Sequence, residues 1–133
     1  MTDEAPPAWH VAVTQRAERE APAVPTPTVQ ATQYVVSCLP EGAEGRHSFT
    51  LNVAYRGNGL WAVIDTPYCL NIDGTWDFEH TPSERTDEWI TSHRFDLDTA
   101  MDLARKHARL MHVNGFTVAD ALAMEKKRAE ADG

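Results

Sequence analysis

The stretch YCLNIDGTWDF, residues 68–78, constrains the fold more than any other part of the chain. Asn71-Ile72-Asp73-Gly74 fits a type I turn closed by a G1 bulge, with Gly74 in the left-handed conformation that a residue without Cβ reaches freely. That turn fixes the pairing. Asn71 faces Thr75, Leu70 faces Trp76, Cys69 faces Asp77 and Tyr68 faces Phe78. Successive side chains on a strand point to opposite faces. Tyr68, Leu70, Trp76 and Phe78 therefore share one side, and Cys69, Asn71, Thr75 and Asp77 share the other. A slip of one residue would mix the two sets.

The same region carries Cys69, Asp73, Asp77, Glu79 and His80, side chains able to bind metals or move protons. Their spacing argues against a shared ion. Asp73 sits at the turn tip, and Glu79 is six residues further along the arm, roughly 20 Å at about 3.3 Å per residue. An EF-hand loop would need Gly at its sixth position and Glu at its twelfth. Neither cysteine, Cys38 or Cys69, stands in a CxxC pair. Both read as buried thiols in a reduced cytoplasm, with a disulfide between them left open. No P-loop, GxGxxG, HExxH or GxSxG pattern is present. No cofactor, metal site or catalytic residue is assigned.

Upstream, QATQYVVSCL (30–39) is rich in β-branched residues and reads as a first strand. In HSFTLNVAY (47–55), Phe49, Leu51, Val53 and Tyr55 alternate with small or polar residues. LWAVID (60–65) returns after RGNG. A loop of Gly57, Asn58 and Gly59 pairs Tyr55 with Trp61 and Val53 with Val63, which keeps large residues on one face. HTPSERTDE (80–88) is a polar loop. EWITSHRF (88–95) then alternates Trp89, Thr91, His93 and Phe95 and is expected to be another strand.

From residue 96 the period changes. In DLDTAMDLARKHARLMH, Leu97, Met101, Ala104, Ala108 and Met111 recur at helical spacing, and Leu103 and Leu110 widen the stripe. Asp96 or Asp98 caps this helix. Asp102 can pair with Arg105 and Lys106 on its outer face. Asn114-Gly115 is expected to stop it. Thr117 caps a second, shorter helix with Asp120 as a capping-box partner. The predicted class is α+β: about five antiparallel strands, then two C-terminal helices, one of them laid across the sheet.

Five of the eight prolines precede residue 30. Residues 1–29 are read as a disordered Pro/Ala-rich arm, 30–124 as a single domain, and 125–133 as a charged, frayed tail. Within the arm, Trp9 and Val13 are four apart and would share a helical face for docking to a partner. The N-terminus lacks a basic, then apolar, secretory pattern, and no apolar run is long enough to cross a bilayer. A cytoplasmic protein without membrane contact is expected.

Twelve basic and twenty acidic residues give a net charge of −8. Residues 65–102 hold ten acids against Arg85 and Arg94 alone, also a net of −8, whereas 103–133 carry a net of +2. An acidic middle repels phosphate, which disfavours nucleic acid, and attracts a basic protein partner. Glu79, Glu84, Asp87 and Glu88, on and beside the 80–88 loop, are the candidate partner-binding residues. Oligomeric state is left open.

Two alternatives compete with such a non-enzymatic interaction module. The first is a small Cys/His enzyme, in which His93 and His107 approach each other and Cys38 or Cys69 joins them. The second is a helix-turn-helix-like DNA binder, because VNGF between two helices has that outline. Its second helix would present Thr117, Asp120 and Lys126, with bases clustered only at Lys126–Arg128.

Trp61, Cys69, Leu70, Gly74, Trp76, Trp89 and the HRFDLDTA segment carry a further resemblance. Residues 59–123 resemble a type of small protein without assigned activity found in actinobacteria, their phages and mobile elements. The resemblance assigns no catalytic residue and implies an accessory, mobile-element or phage-encoded role.

Overall fold

The structure is a computed structural model and describes residues 23–132. Trp9 and Val13, and most of the expected arm, lie outside the described residues. Residues 23–30 are exposed and carry no strand or helix.

Five strands follow, in an antiparallel meander whose spatial order is the sequence order. They are β1 (Gln33–Ser37), β2 (Thr50–Tyr55), β3 (Trp61–Asp65), β4 (Tyr68–Leu70) and β5 (Trp76–Phe78). The β2–β3 register pairs Val53 with Val63 and Tyr55 with Trp61. The β4–β5 register pairs Tyr68 with Phe78, Cys69 with Asp77 and Leu70 with Trp76. Both are the registers that turn chemistry specifies. The β4–β5 turn is held by Asn71 N–H donating to Thr75 O at 2.8 Å and Gly74 N–H donating to Asn71 O at 2.9 Å, with Gly74 at φ +92°. A β-branched residue resists that backbone. Gly74→Val is therefore expected to cost about 1–2 kcal/mol or more, read as a lower denaturation midpoint. An unchanged midpoint would mean that the turn tolerates the strain.

The largest departure from expectation is EWITSHRF. Residues Asp87–His93 form a helix, α1, and not a strand. Thr86 caps it: its Oγ1 accepts from the Trp89 N–H at 3.1 Å. Asp87 and Glu88 then occupy the first turn, where acids suit the positive end of the helix. Only Phe95 keeps strand character. It exchanges both backbone hydrogen bonds with Trp61, at 2.7 and 2.9 Å, alongside the start of β3.

Helix α2 (Leu97–Ala108) begins where its cap predicts, with Asp96 Oδ1 accepting from Thr99 N–H at 2.7 Å. It buries Ala100, Ala104 and Ala108 against Leu51, Val53, Trp61, Val63 and Leu70. It ends earlier than expected. Asn114-Gly115 instead turns a small hairpin of β6 (His112–Val113) and β7 (Phe116–Thr117), both residues having positive φ. Leu110, expected on the helical stripe, is exposed beyond the helix end. The two C-terminal helices are thus separated by a hairpin, and the tight turn of a helix-turn-helix is not formed.

Helix α3 (Val118–Asp132) starts with the predicted reciprocal box: Thr117 Oγ1 accepts from Asp120 N–H at 3.1 Å, and Asp120 Oδ2 accepts from Thr117 N–H at 2.9 Å. It does not stop at residue 124. The charges expected to fray it tie it down: Arg128 bridges to Glu125 at 2.6 Å and also to Glu44, while Glu125 accepts from Gly45 N–H at 3.4 Å.

The sheet is covered on both faces, where one covered face was expected. Alternation along β2, β3 and β4 sends Val53, Val63 and Leu70 toward α2. Ala54, Ala62, Ile64 and Cys69 go to the opposite face, where α1 covers them with Trp89 and Ile90. Tyr68 and Phe78, at the far end of the hairpin, are exposed although their rings pack at 4.8 Å between centroids.

Candidate functional site

Sequence features with chemical potential converge under α1. The small residues Ala54 and Ala62 and the buried thiol of Cys69 let the helix approach the sheet closely enough to bury Trp89. Trp89 lies between two imidazoles, His80 at 4.8 Å and His93 at 4.3 Å, each tilted only 13° from it. Helical spacing of four places Trp89 and His93 on one face. The guanidinium of Arg94 sits 4.7 Å from the Trp89 ring centroid and that of Arg85 sits 5.8 Å away, within cation–π range.

His93 is engaged at both ring nitrogens. Nε2 meets Asp77 Oδ2 at 2.7 Å, and Nδ1 lies 2.8 Å from both Trp89 O and Ser92 Oγ. Asp77 also accepts from Asn71 Nδ2 at 3.3 Å, and its hydrogen bonds to His93 and then Asn71 hold its carboxyl below the ordinary range. The β5 acid thereby fixes the orientation of the α1 histidine.

Glu79, one residue beyond β5, organises the rest. It accepts two bonds from Arg56, at 2.9 and 2.8 Å, and one from Arg94 at 2.8 Å. Arg94 has a side chain only 3 % exposed and also donates to His93 O at 3.0 Å. Burial pushes the Glu79 carboxyl up, but Arg56, Arg94 and Arg85 outweigh it and leave it below its usual value. Burial also pushes the Cys69 thiol up, against the partial opposition of Arg94. A nucleophilic cysteine needs the reverse, since the thiolate is the reactive form.

The predicted partner residues divide here. Glu79 is locked inside the network and is not free for a partner. Glu84, Asp87 and Glu88 are exposed. Glu84 accepts from Thr81 Oγ1 at 2.7 Å, and the other two open α1.

The Cys/His constellation does not assemble. His107 is on α2, edge-on to Trp76 at 6.0 Å, across the sheet from His93. Burial, with a smaller contribution from Lys106, lowers its pKa. Cys38 packs on the α2 side, Cys69 lies on the α1 side, and both are free thiols. Among the described residues no three His, Cys, Asp or Glu side chains gather as metal ligands, and no helix is long and apolar enough to cross a membrane.

Sequence reasoning passed over Arg56, Arg85 and Arg94. The signal was available: Arg85 and Arg94 are the only bases among ten acids in residues 65–102, and both flank Trp89. No family model, curated protein or solved structure matches the chain.

Proposed function

We propose that the domain is a small, non-enzymatic interaction module in an accessory or regulatory role, and that it presents an acidic edge to a basic protein partner. One observation carries this reading. Under α1, His93 is bonded to Asp77 and Arg94 to Glu79, pairs that hold the helix to the sheet, whereas Glu84, Asp87 and Glu88 remain exposed along one short stretch. Exposed charge of one sign steers an oppositely charged partner and raises its on-rate more than it deepens affinity.

Replacing Glu84, Asp87 and Glu88 together with Gln tests this. Folding should change by no more than about 0.3–1 kcal/mol per site, the value of an exposed acid in the first turn of a helix. Association with a partner isolated from the native host should slow about tenfold or more at low salt. Added salt should slow the unaltered chain toward the variant, because exposed charges are screened. An on-rate unaffected by either change would remove the acidic edge from the interaction.

A further inference from the structure

The acidic edge leaves a second feature of this face unexplained. Beside the β2–β3 turn, a cleft of about 270 Å³ is lined by Arg56, Arg85 and Arg94, with Leu60, Pro82 and Ile90 forming an apolar wall. Three guanidinium groups converge there, and Glu79 supplies a single carboxylate between Arg56 and Arg94. Arg85 makes one hydrogen bond, its Nε–H donating to His80 O at 2.8 Å. Its two terminal nitrogens meet no acceptor among the described residues.

The neighbouring acids do not supply the missing charge. Glu84 is turned to Thr81, and Asp87 and Glu88 form no ion pair with these arginines among the described residues. The cleft therefore carries an excess of two positive charges within a chain of net charge −8. Like charges held together are destabilising unless something neutralises them. The cost is visible at Arg94, whose charged form is opposed first by burial and then by Arg85 and Arg56.

We infer that this cleft is a binding site for a phosphate monoester on a small molecule with an apolar body. The charge matches, since a monoester carries about −1.5 to −2 near neutral pH. The geometry matches at Arg85, whose two terminal nitrogens form a planar fork suited to phosphate oxygens, while Arg56 and Arg94, already bonded to Glu79, add positive charge beside it. Leu60, Pro82 and Ile90 offer the rest of the ligand a dry surface. The volume is below the roughly 300–1,000 Å³ of drug-sized sites, so the body is no larger than a single ring. The acidic surround disfavours casual anion binding, so the attraction is local to the cleft.

Phenyl phosphate is the probe, titrated into the full chain by calorimetry, with arginine Nε–H resonances followed by NMR. Saturable one-to-one binding is expected, with the Arg56, Arg85 and Arg94 resonances shifting together. Phenyl phosphate should bind about tenfold more tightly than inorganic phosphate, which lacks the apolar body, and than the monoanion phenyl sulfate. Arg85→Gln should weaken binding about tenfold, the loss of one charge-assisted hydrogen bond, with only a small fall in melting temperature, because Arg85 holds one loop carbonyl and an outer cation–π contact with Trp89. Arg85→Lys, which keeps charge but not the fork, is the second variant and should also bind more weakly. Absence of saturable binding at millimolar phenyl phosphate would overturn the site. So would undiminished binding by both Arg85 variants, or equal affinity for all three probes.

Discussion

Glu79→Ala is expected to destabilise the domain by about 3–5 kcal/mol, the usual consequence of stripping one partner from a buried ion pair. Glu79 is the only carboxylate bonded to both Arg56 and Arg94 among the described residues, and the Arg94 side chain is 3 % exposed. Without it, two guanidinium groups face each other in a confined space and a third, Arg85, stands nearby. Total stabilities of small domains are roughly 5–15 kcal/mol, so this one change should remove a large fraction. The measurement is urea unfolding, with a lower midpoint at constant slope. Glu79→Gln keeps the shape and an acceptor oxygen and should fall between wild type and Ala. A loss below about 1 kcal/mol would place the pair with exposed salt bridges instead. The same carboxylate sets a pH dependence. Because folding lowers its pKa, the stabilisation is fully present above the unfolded value of about 4.3 and is lost as pH falls through the folded value. Acid unfolding of the wild type should therefore begin near that range, and Glu79→Gln should flatten that part of the curve.

Trp89→Ala should be comparably damaging, at about 3–5 kcal/mol. Trp89 is the buried aromatic that fixes α1 to Ala54, Ala62, Ile64 and Cys69, and it also fills the space between His80 and His93. Removing it leaves a cavity roofed by a seven-residue helix, which is too short to hold together by itself. Amide exchange of residues 87–93 should accelerate well beyond that of β2 and β3. Trp89→Phe provides a sharper comparison. The buried Trp89 Nε1–H has no acceptor among the described residues, and an unmatched buried donor is costly, about 1–3 kcal/mol. Phenylalanine retains most of the ring contact and removes that donor, so its penalty should be less than half that of alanine. Equal penalties would mean that the indole nitrogen is satisfied in solution, and a small alanine penalty would mean that α1 is held by the ion pairs alone.

What the sequence made legible was local. Gly74 and Asn58 mark turns through backbone conformation, and Asp96 and the Thr117/Asp120 pair mark helix starts through bonds spanning three residues. The β2–β3 and β4–β5 registers followed because turn type and the two-residue period agree. Helix α1 was hidden by an ambiguity of period: Trp89 and His93, four apart, share a face in a strand and in a helix alike. The decisive signals were the Thr86 cap and the acids after it, which lie inside a run that also reads as polar loop. The site itself was beyond pattern reading. Arg94 reaches Glu79 across 15 positions and Arg56 reaches it across 23. Nothing in a linear charge count distinguishes an acid that neutralises buried arginines from one that faces water, so Glu79 was grouped with Glu84, Asp87 and Glu88. The length of α3 was missed for the same reason, since Glu44 and Arg128 are neighbours only after folding.

The meander also bears on how this domain comes into being. Every strand from β1 to β5 lies beside its immediate predecessor in the chain. The connections run from two residues between β3 and β4 to twelve between β1 and β2, and because closure entropy grows slowly with length, bringing each pair of strands together costs little. No strand has to wait for a distant segment before it can pair. Contacts that span the chain include those that bring Phe95 to Trp61 and lay α2 over one face of the sheet. A nascent chain emerging from its N-terminal side can thus complete the sheet while its helices are still being made, leaving both apolar faces briefly open. The alanines of α2 and the aromatic side of α1 arrive next in sequence to close them, which shortens the interval in which that surface could recruit another chain.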